Sequence, residues 1–384
     1  MSGLYIHIPF CNSKCAYCGF YSIASLKRKE DFLDSLKQEI IQRKDYLHGE
    51  KVETVYFGGG TPSILSIDEL KSIFTQIHET FEIDPSAEVT LEANPDTLSL
   101  DYLEGLRSLG VNRLSIGIQS FFDEDLKYLS RRHNAEHALQ SIQWAKEAGF
   151  NNIGIDLIYG LPTSNADRWS QNLDKFFELD LPHLSAYALT LEPNSILTKQ
   201  ISQGKVAPIN EEDAVLDYGI LCQKMAQHGY LHYEISNFCK PGMHSRHNSN
   251  YWFGIPYAGF GPSAHSYDGV SRQWNVSSVE QYNQGTPTGS PLSNLGYAER
   301  TLGDRETLTL EQIYDEYVML RLRTMWGIDL KYIKREMGER FSAHCERQAQ
   351  PLIAQGRLSQ TREFLYLTDE QMLFADGIAE ELFW

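Results

Sequence analysis

Short runs rich in apolar and β-branched residues recur along the first two thirds of the chain: LYIHI (4–8), VETVYF (52–57), AEVTLEA (87–93), RLSIGI (113–118), NIGIDLI (152–158) and HLSAYALT (183–190). Their lengths and composition predict six strands. Stretches of helical period lie between them, Phe32, Leu33, Leu36, Ile40 and Ile41 in one, and Leu126, Leu129, Ala138, Leu139, Ile142 and Ala145 in another. Ser66 before IDEL and Asn134 before AEHAL read as helix N-caps, followed three residues later by Glu69 and His137. The first pair fits a capping box better. Strands alternating with helices imply a parallel sheet covered by helices, as an open doubly wound sheet or as a whole or partial barrel.

The strand ends choose between these. Strand one runs into cysteines, strand two into GGGTP, strand three ends at Glu92 and strand four at Gln119, while strands five and six carry Asp156 and Tyr187. Taken singly, these could be solvated strand ends or local caps. Their recurrence at one edge is what an active site at the mouth of a β/α barrel requires. After about residue 290 the pattern turns helical (LEQIYDEYVMLRLRTMWG, LKYIKREMG, HCERQAQPLIAQG), with a short hairpin expected at RLSQ and FLYLT. That predicts a smaller C-terminal, mainly helical, winged-helix-like domain, with GTPTGSPLSN (285–294) as the linker. We expect a barrel over 1–235, a connecting segment over 236–295 and the C-terminal domain over 296–384.

Composition narrows the function. With 384 residues and 42% hydrophobic content the chain can bury a large core. Its 34 basic against 51 acidic residues give a net charge of −17, which repels polyphosphate, so no nucleic acid partner is expected, even from a winged helix. No apolar run approaches a membrane span, and no basic n-region precedes an apolar stretch. Six cysteines, three of them clustered, suit a reducing compartment, so a cytoplasmic location is expected.

Cys11, Cys15 and Cys18 in YIHIPFCNSKCAYCGF carry the main chemical statement. Three thiolates can hold a 4Fe-4S cluster and leave one iron open to an exchangeable ligand. Structural zinc would want a fourth ligand at matching spacing, and no second half-site appears. A thioredoxin-type pair would leave Cys11 without a role. Cys222, Cys239 and Cys345 are isolated and read as small buried hydrophobes.

With the CxxxCxxC site, the GGGTP loop and the strand-end acids assembled, the chain resembles the radical S-adenosylmethionine (radical SAM) superfamily. Within it, the chain is similar to the group of the oxygen-independent coproporphyrinogen III dehydrogenase and the heme chaperone HemW. The resemblance implies an α/β fold built on a partial (βα)6 TIM-type barrel. It implies three cysteines on a 4Fe-4S cluster and S-adenosylmethionine chelating the open iron through its amino and carboxylate groups. Cys11, Cys15 and Cys18 become the metal ligands, with Tyr5, Tyr17, Gly59, Gly60, Thr61, Glu92, Gln119, Arg131 and Asp156 in the cofactor site. Glycines there let backbone groups approach the cofactor, and the acids accept from an ammonium or ribose hydroxyls. Arg131 rather than Arg132 follows from its spacing from Gln119.

Two features separate the branches. Phe20 stands where the dehydrogenase carries a further cysteine, and few residues precede Tyr5 where that enzyme has an N-terminal arm. A third, the segment from Lys240 to Tyr267, resembles the HNxxYW motif of the chaperone branch through His247, Asn248, Tyr251 and Trp252. A neutral imidazole suits heme iron, and aromatic rings suit a porphyrin face. The bland alternative is that these aromatics pack the barrel bottom while His247 satisfies a buried hydrogen bond. His244 and His265 are rival ligands, and Cys239 lies close by. The expected function is therefore a heme chaperone that carries a cluster with exchangeable S-adenosylmethionine and passes heme to an acceptor protein. Homodimer formation and peripheral membrane contact are left open. The alternatives are a coproporphyrinogen III dehydrogenase acting by reductive cleavage of S-adenosylmethionine and, further off, a tRNA-modifying enzyme.

Overall fold

The computed structural model describes residues 1–193, 195–284 and 302–384; the proposed linker 285–294 lies outside them. The six apolar runs form β1 (Ser2–Ile8), β2 (Val52–Gly59), β3 (Ile83–Ala93), β4 (Arg113–Gln119), β5 (Asn152–Tyr159) and β6 (His183–Ala188). They pair in parallel and in sequence order. Strands buried on both faces have no reason to alternate in polarity, which is why every residue of β4, including Arg113 and Gln119, is buried. Leu4, Ile6, Phe57, Leu91, Leu114, Ile116 and Ile155 face the main core, against Phe32, Leu36 and Ile40 of the helix Lys29–Gln42. Each such side chain contributes about 1.5–3 kcal/mol.

The parallel sheet does not close. Among the described residues it continues at both ends through β7 (Leu231–Glu234), β8 (Asn237–Cys239), β9 (Tyr257–Phe260), β10 (His265–Tyr267), β11 (Ser271–Asn275) and β12 (Leu302–Thr307). The strand order is β12-β11-β10-β9-β1-β2-β3-β4-β5-β6-β8-β7. The six-stranded partial barrel is thus the centre of a longer sheet. Because β9–β12 extend that sheet from the second and third segments, the boundaries at 235 and 295 stand as our proposed division of the chain.

Ser66 caps the helix Ile67–Thr80 in a full capping box: its hydroxyl accepts from Glu69 N at 3.2 Å and its own N–H donates to Glu69 Oε2 at 2.8 Å. Asn134 caps Ala135–Glu147 by accepting from His137 N at 2.8 Å. The periodic stretch from Leu126 to Ala145 is two helices rather than one. The first, Asp123–Tyr128, ends before Ser130, whose φ of 58° cannot continue a right-handed helix, and the chain turns Arg131 toward the barrel mouth.

A second core of Tyr314, Val318, Ile333, Phe341, Leu352 and Leu365 holds the C-terminal unit. The helices Leu310–Leu322 and Glu339–Ala354 pack there beside a small sheet. The expected hairpin appears as Ser359–Gln360 and Phe364–Tyr366, joined by a third strand, Ile328–Asp329, that periodicity had not shown. The unit is stapled to the far edge of the large sheet: Ile235 N donates to Arg323 O at 2.9 Å and Met325 N to Tyr233 O at 3.1 Å. Among the described residues no helix is long and apolar enough to cross a membrane.

Candidate cofactor site and adjoining cavity

The cysteine loop leaves β1 and is tied down at several points. Cys11 N donates to Ile23 O at 3.0 Å, Ala16 N to Leu129 O at 3.3 Å, and Leu197 N to Ala16 O at 2.8 Å. The loop therefore lies over the C-terminal ends of the strands. Thr61 Oγ1, just past β2, points at Cys11 Sγ at 3.4 Å, and Asn94 Nδ2 donates to Thr61 Oγ1 at 3.0 Å. Arg131 links the rest of the mouth. Its guanidinium donates to Asn94 Oδ1 and to Gly117 O, both at 2.7 Å, and to Cys15 Sγ at 3.4 Å. Its Nε is buried with no partner. Arg132 points outward to Asp96 at 3.4 Å.

The glycines are packed for close approach. A Cβ on Gly58 would lie within 3.1 Å of Tyr5, Tyr56 and Glu92, and one on Gly59, at φ 106°, within 2.6 Å of the His7 ring. Gly60 would meet the Phe10 carbonyl at 2.6 Å. Gln119 has a φ of 70° at a register shift between β4 and β5, which turns its amide over Gly117. Glu92 accepts from Tyr56 OH at 2.7 Å, and burial followed by the Asp156 charge raises its carboxyl to about 7. Asp156 is also raised by burial, against a hydrogen bond from Ser115 Oγ at 3.2 Å. Tyr17 lies in the field of Arg131, Cys15, Cys18 and Asp156, and burial raises its phenol. Burial likewise raises the Cys18 thiol, with Cys15 and Cys11 adding to the effect.

Every proposed residue from Tyr5 to Asp156 thus sits on the barrel mouth or the lumen below it. Asn94, Ser115 and Arg113 were missed because they look ordinary in sequence. Arg113 is 1% exposed, with Nε and Nη1 unpartnered, and its charge acts on Glu92 and Asp156. Among the described residues no group of His, Cys, Asp or Glu is gathered to hold a single metal ion. A cubane instead takes each thiolate on a different iron, so a loop that spreads three of them suits it. The donor set, the glycine cradle and the unpartnered Arg131 Nε fit such a cluster with a polar ligand beside it.

The HNxxYW residues lie elsewhere. The helix Arg246–Trp252 plugs the N-terminal end of the strands, its first N–H groups capped by Glu88: Arg246 N to Oε2 and His247 N to Oε1, both at 3.0 Å. Asn248 N donates to Ser245 Oγ at 3.3 Å. His247 is 1% exposed, and both ring nitrogens are engaged, Nδ1 with Thr54 Oγ1 and Nε2 with Tyr251 OH, each at 2.8 Å. Burial lowers its pKa to about 3. Tyr251 and Trp252 reach past it into a cavity of about 580 Å3 between the sheet and the C-terminal unit, whose walls also include Tyr5, Phe20, Tyr257 and Tyr317. Cys239 is buried, and burial raises its thiol to about 11.

A thiolate loop over an open β/α barrel, with an arginine and two acids below it, defines a radical SAM protein. Residues 5–176 match the radical SAM superfamily model, and residues 308–374 match the HemN C-terminal domain. The heme chaperone HemW of Bacillus subtilis (strain 168) is 34% identical over 384 residues, covering 98% of each chain. That of Escherichia coli (strain K12) is 38% identical over 266 residues, 68% of this chain and 69% of that protein. The solved structure of the coproporphyrinogen III oxidase HemN from Escherichia coli, a radical SAM enzyme, superposes with a TM-score of 0.82 at 26% identity. The superposition covers 99% of this chain and 89% of that one. The chain belongs to the HemW family of radical SAM proteins, whose cofactors are a 4Fe-4S cluster and S-adenosylmethionine.

Proposed function

We propose that the protein is a heme chaperone: it binds heme and delivers it to a heme-accepting protein, in a reducing cytoplasm. The observation that carries this is the aromatic-walled cavity, about 580 Å3, onto which Tyr251 and Trp252 of the HNxxYW segment open. Flat rings and an interior of this size suit a large planar ligand. The full-length likeness to proteins named heme chaperones supports the same reading.

Cys11, Cys15 and Cys18 would hold the cluster, and Tyr5, Tyr17, Gly59, Gly60, Thr61, Glu92, Gln119, Arg131 and Asp156 would surround S-adenosylmethionine. When bound, these groups supply one-electron chemistry at the mouth. The residues present do the rest. Arg131 holds Cys15, Asn94 and Gly117 in one arrangement, and Glu92 offers a carboxyl pushed up to about 7. The dehydrogenase reading keeps the overall likeness to HemN, but Phe20, 71% exposed on the cavity wall, occupies the place of the further cysteine.

Anaerobically reconstituted protein should give a Soret shift on hemin titration, transfer hemin to an apo-hemoprotein, and leave coproporphyrinogen III unchanged under reducing conditions. Turnover of coproporphyrinogen III without retention of hemin would overturn the proposal.

A further inference from the structure

We infer that the cavity between the sheet and the C-terminal unit coordinates heme iron through His265, with Arg272 anchoring a heme carboxylate. This rests on the heme-chaperone reading and goes beyond it by placing the cargo on residues outside the HNxxYW segment.

The histidines divide by what their nitrogens already do. His247 is committed at both, to Thr54 and Tyr251, and does not line the cavity. His7 lines it but is also committed, Nδ1 to Tyr5 OH at 3.2 Å and Nε2 to Tyr21 O at 3.0 Å. His244 packs against Tyr233 and Trp326, off the cavity wall. His265 lines the cavity, is exposed, and among the described residues neither ring nitrogen has a hydrogen-bond partner. Its ring is steadied by stacking on Trp274, centroids 5.8 Å apart at 26°. Partial desolvation and then the Arg272 charge lower its pKa, which favours the neutral imidazole that can donate a lone pair.

The strand pleat explains why these residues act together. β10 and β11 pair antiparallel with His265 opposite Trp274 and Tyr267 opposite Arg272, so the four side chains share one face. His265 and the Tyr267–Arg272 pair are two residues apart along the ribbon, about 7 Å, comparable to the span from a heme's iron to its carboxylate edge. Arg272 reaches across the cavity to Glu316 at 2.8 Å and lies over the Tyr267 ring. Its Nε is buried with no partner, a donor aimed where no protein acceptor waits. A heme carboxylate would satisfy it and compete with Glu316, whose carboxyl burial already raises toward the neutral form. Tyr251, Trp252, Tyr257 and Tyr317 line the same cavity and would offer flat apolar surface to a porphyrin.

The test is hemin titration of anaerobically reconstituted full-length protein, with cluster content measured in every sample as a check on folding. His265→Ala should lose the imidazole-ligated Soret and EPR signature and weaken hemin at least tenfold, yet bind metal-free protoporphyrin IX as the wild type does. Added imidazole should restore the signature. Arg272→Gln should weaken hemin about tenfold but leave hemin dimethyl ester unaffected. A wild-type spectrum and affinity in His265→Ala, or loss of the axial signature in His247→Ala alone, overturns this assignment and leaves the chaperone reading standing. Absence of hemin binding by the wild type removes both.

Discussion

Replacing Glu92 by glutamine should make the ligand-free protein more stable, and only above a definite pH. Glu92 lies in the lumen against Tyr56 and within the field of Asp156, and its carboxyl titrates at about 7 instead of the usual 4.5. Burial is the first cause, so the folded state prefers the protonated form. A group raised in this way stabilises the fold fully below about pH 4.5, and that contribution is lost as pH rises through about 7. The rise corresponds to roughly 3 kcal/mol for a carboxyl sealed from water. Glu92 is half-buried rather than sealed, so we expect about 1–2 kcal/mol. Glutamine keeps an oxygen to accept from Tyr56 and carries no charge at any pH. Thermal or urea unfolding of the two ligand-free proteins from pH 4 to pH 8 should therefore give curves that approach each other near pH 4, diverge between about 4.5 and 7 and run parallel above that, with Glu92→Gln the more stable. S-adenosylmethionine should narrow the gap at pH 8, because its positive ammonium rewards the ionised acid; affinity for it should fall about tenfold in the variant, about 1.4 kcal/mol. Parallel stability curves across the whole range would refute the electrostatic reasoning.

Alanine at Cys11, Cys15 or Cys18 should each abolish the cubane absorption after anaerobic reconstitution, whereas Cys239→Ala should retain it, since burial keeps that thiol protonated. Arg131→Met removes three hydrogen bonds and should cost roughly 3 kcal/mol in urea unfolding. It should also lower iron and sulfide content, with Arg131→Lys recovering charge but not the fork that reaches Asn94 and Gly117 together. Gly59→Ala should lower the urea midpoint by more than Gly110→Ala. Both have positive φ, but only the former drives a methyl into a neighbouring ring, a difference of about 1–3 kcal/mol.

Periodicity located β1 to β6 to within a few residues because central parallel strands are apolar throughout, and Ser66 and Asn134 marked true caps because capping is a local hydrogen bond. What escaped was set by distant partners. The break at Ser130 depends on a left-handed turn that no glycine signals, and it alone explains why Arg131 and not Arg132 faces the cysteines. β7 to β12 are short, three to six residues each, so they carried no strong period. His247 drew notice as one member of a motif, yet its role depends on Thr54 and Tyr251, which meet it only through the fold. Arg113 gives no sign in sequence that it is a buried cation beneath two acids.

The C-terminal unit touches both margins of the unclosed sheet: it continues from β12 at one end, and Thr324 bridges Glu234 of β7 at the other. It behaves as a clasp over a split cylinder. The Arg272–Glu316 pair is one of its fastenings. Cutting the clasp away altogether would bare the β7 margin and the aromatic lining at once, and such a truncated protein should stick to itself before it loses its strands.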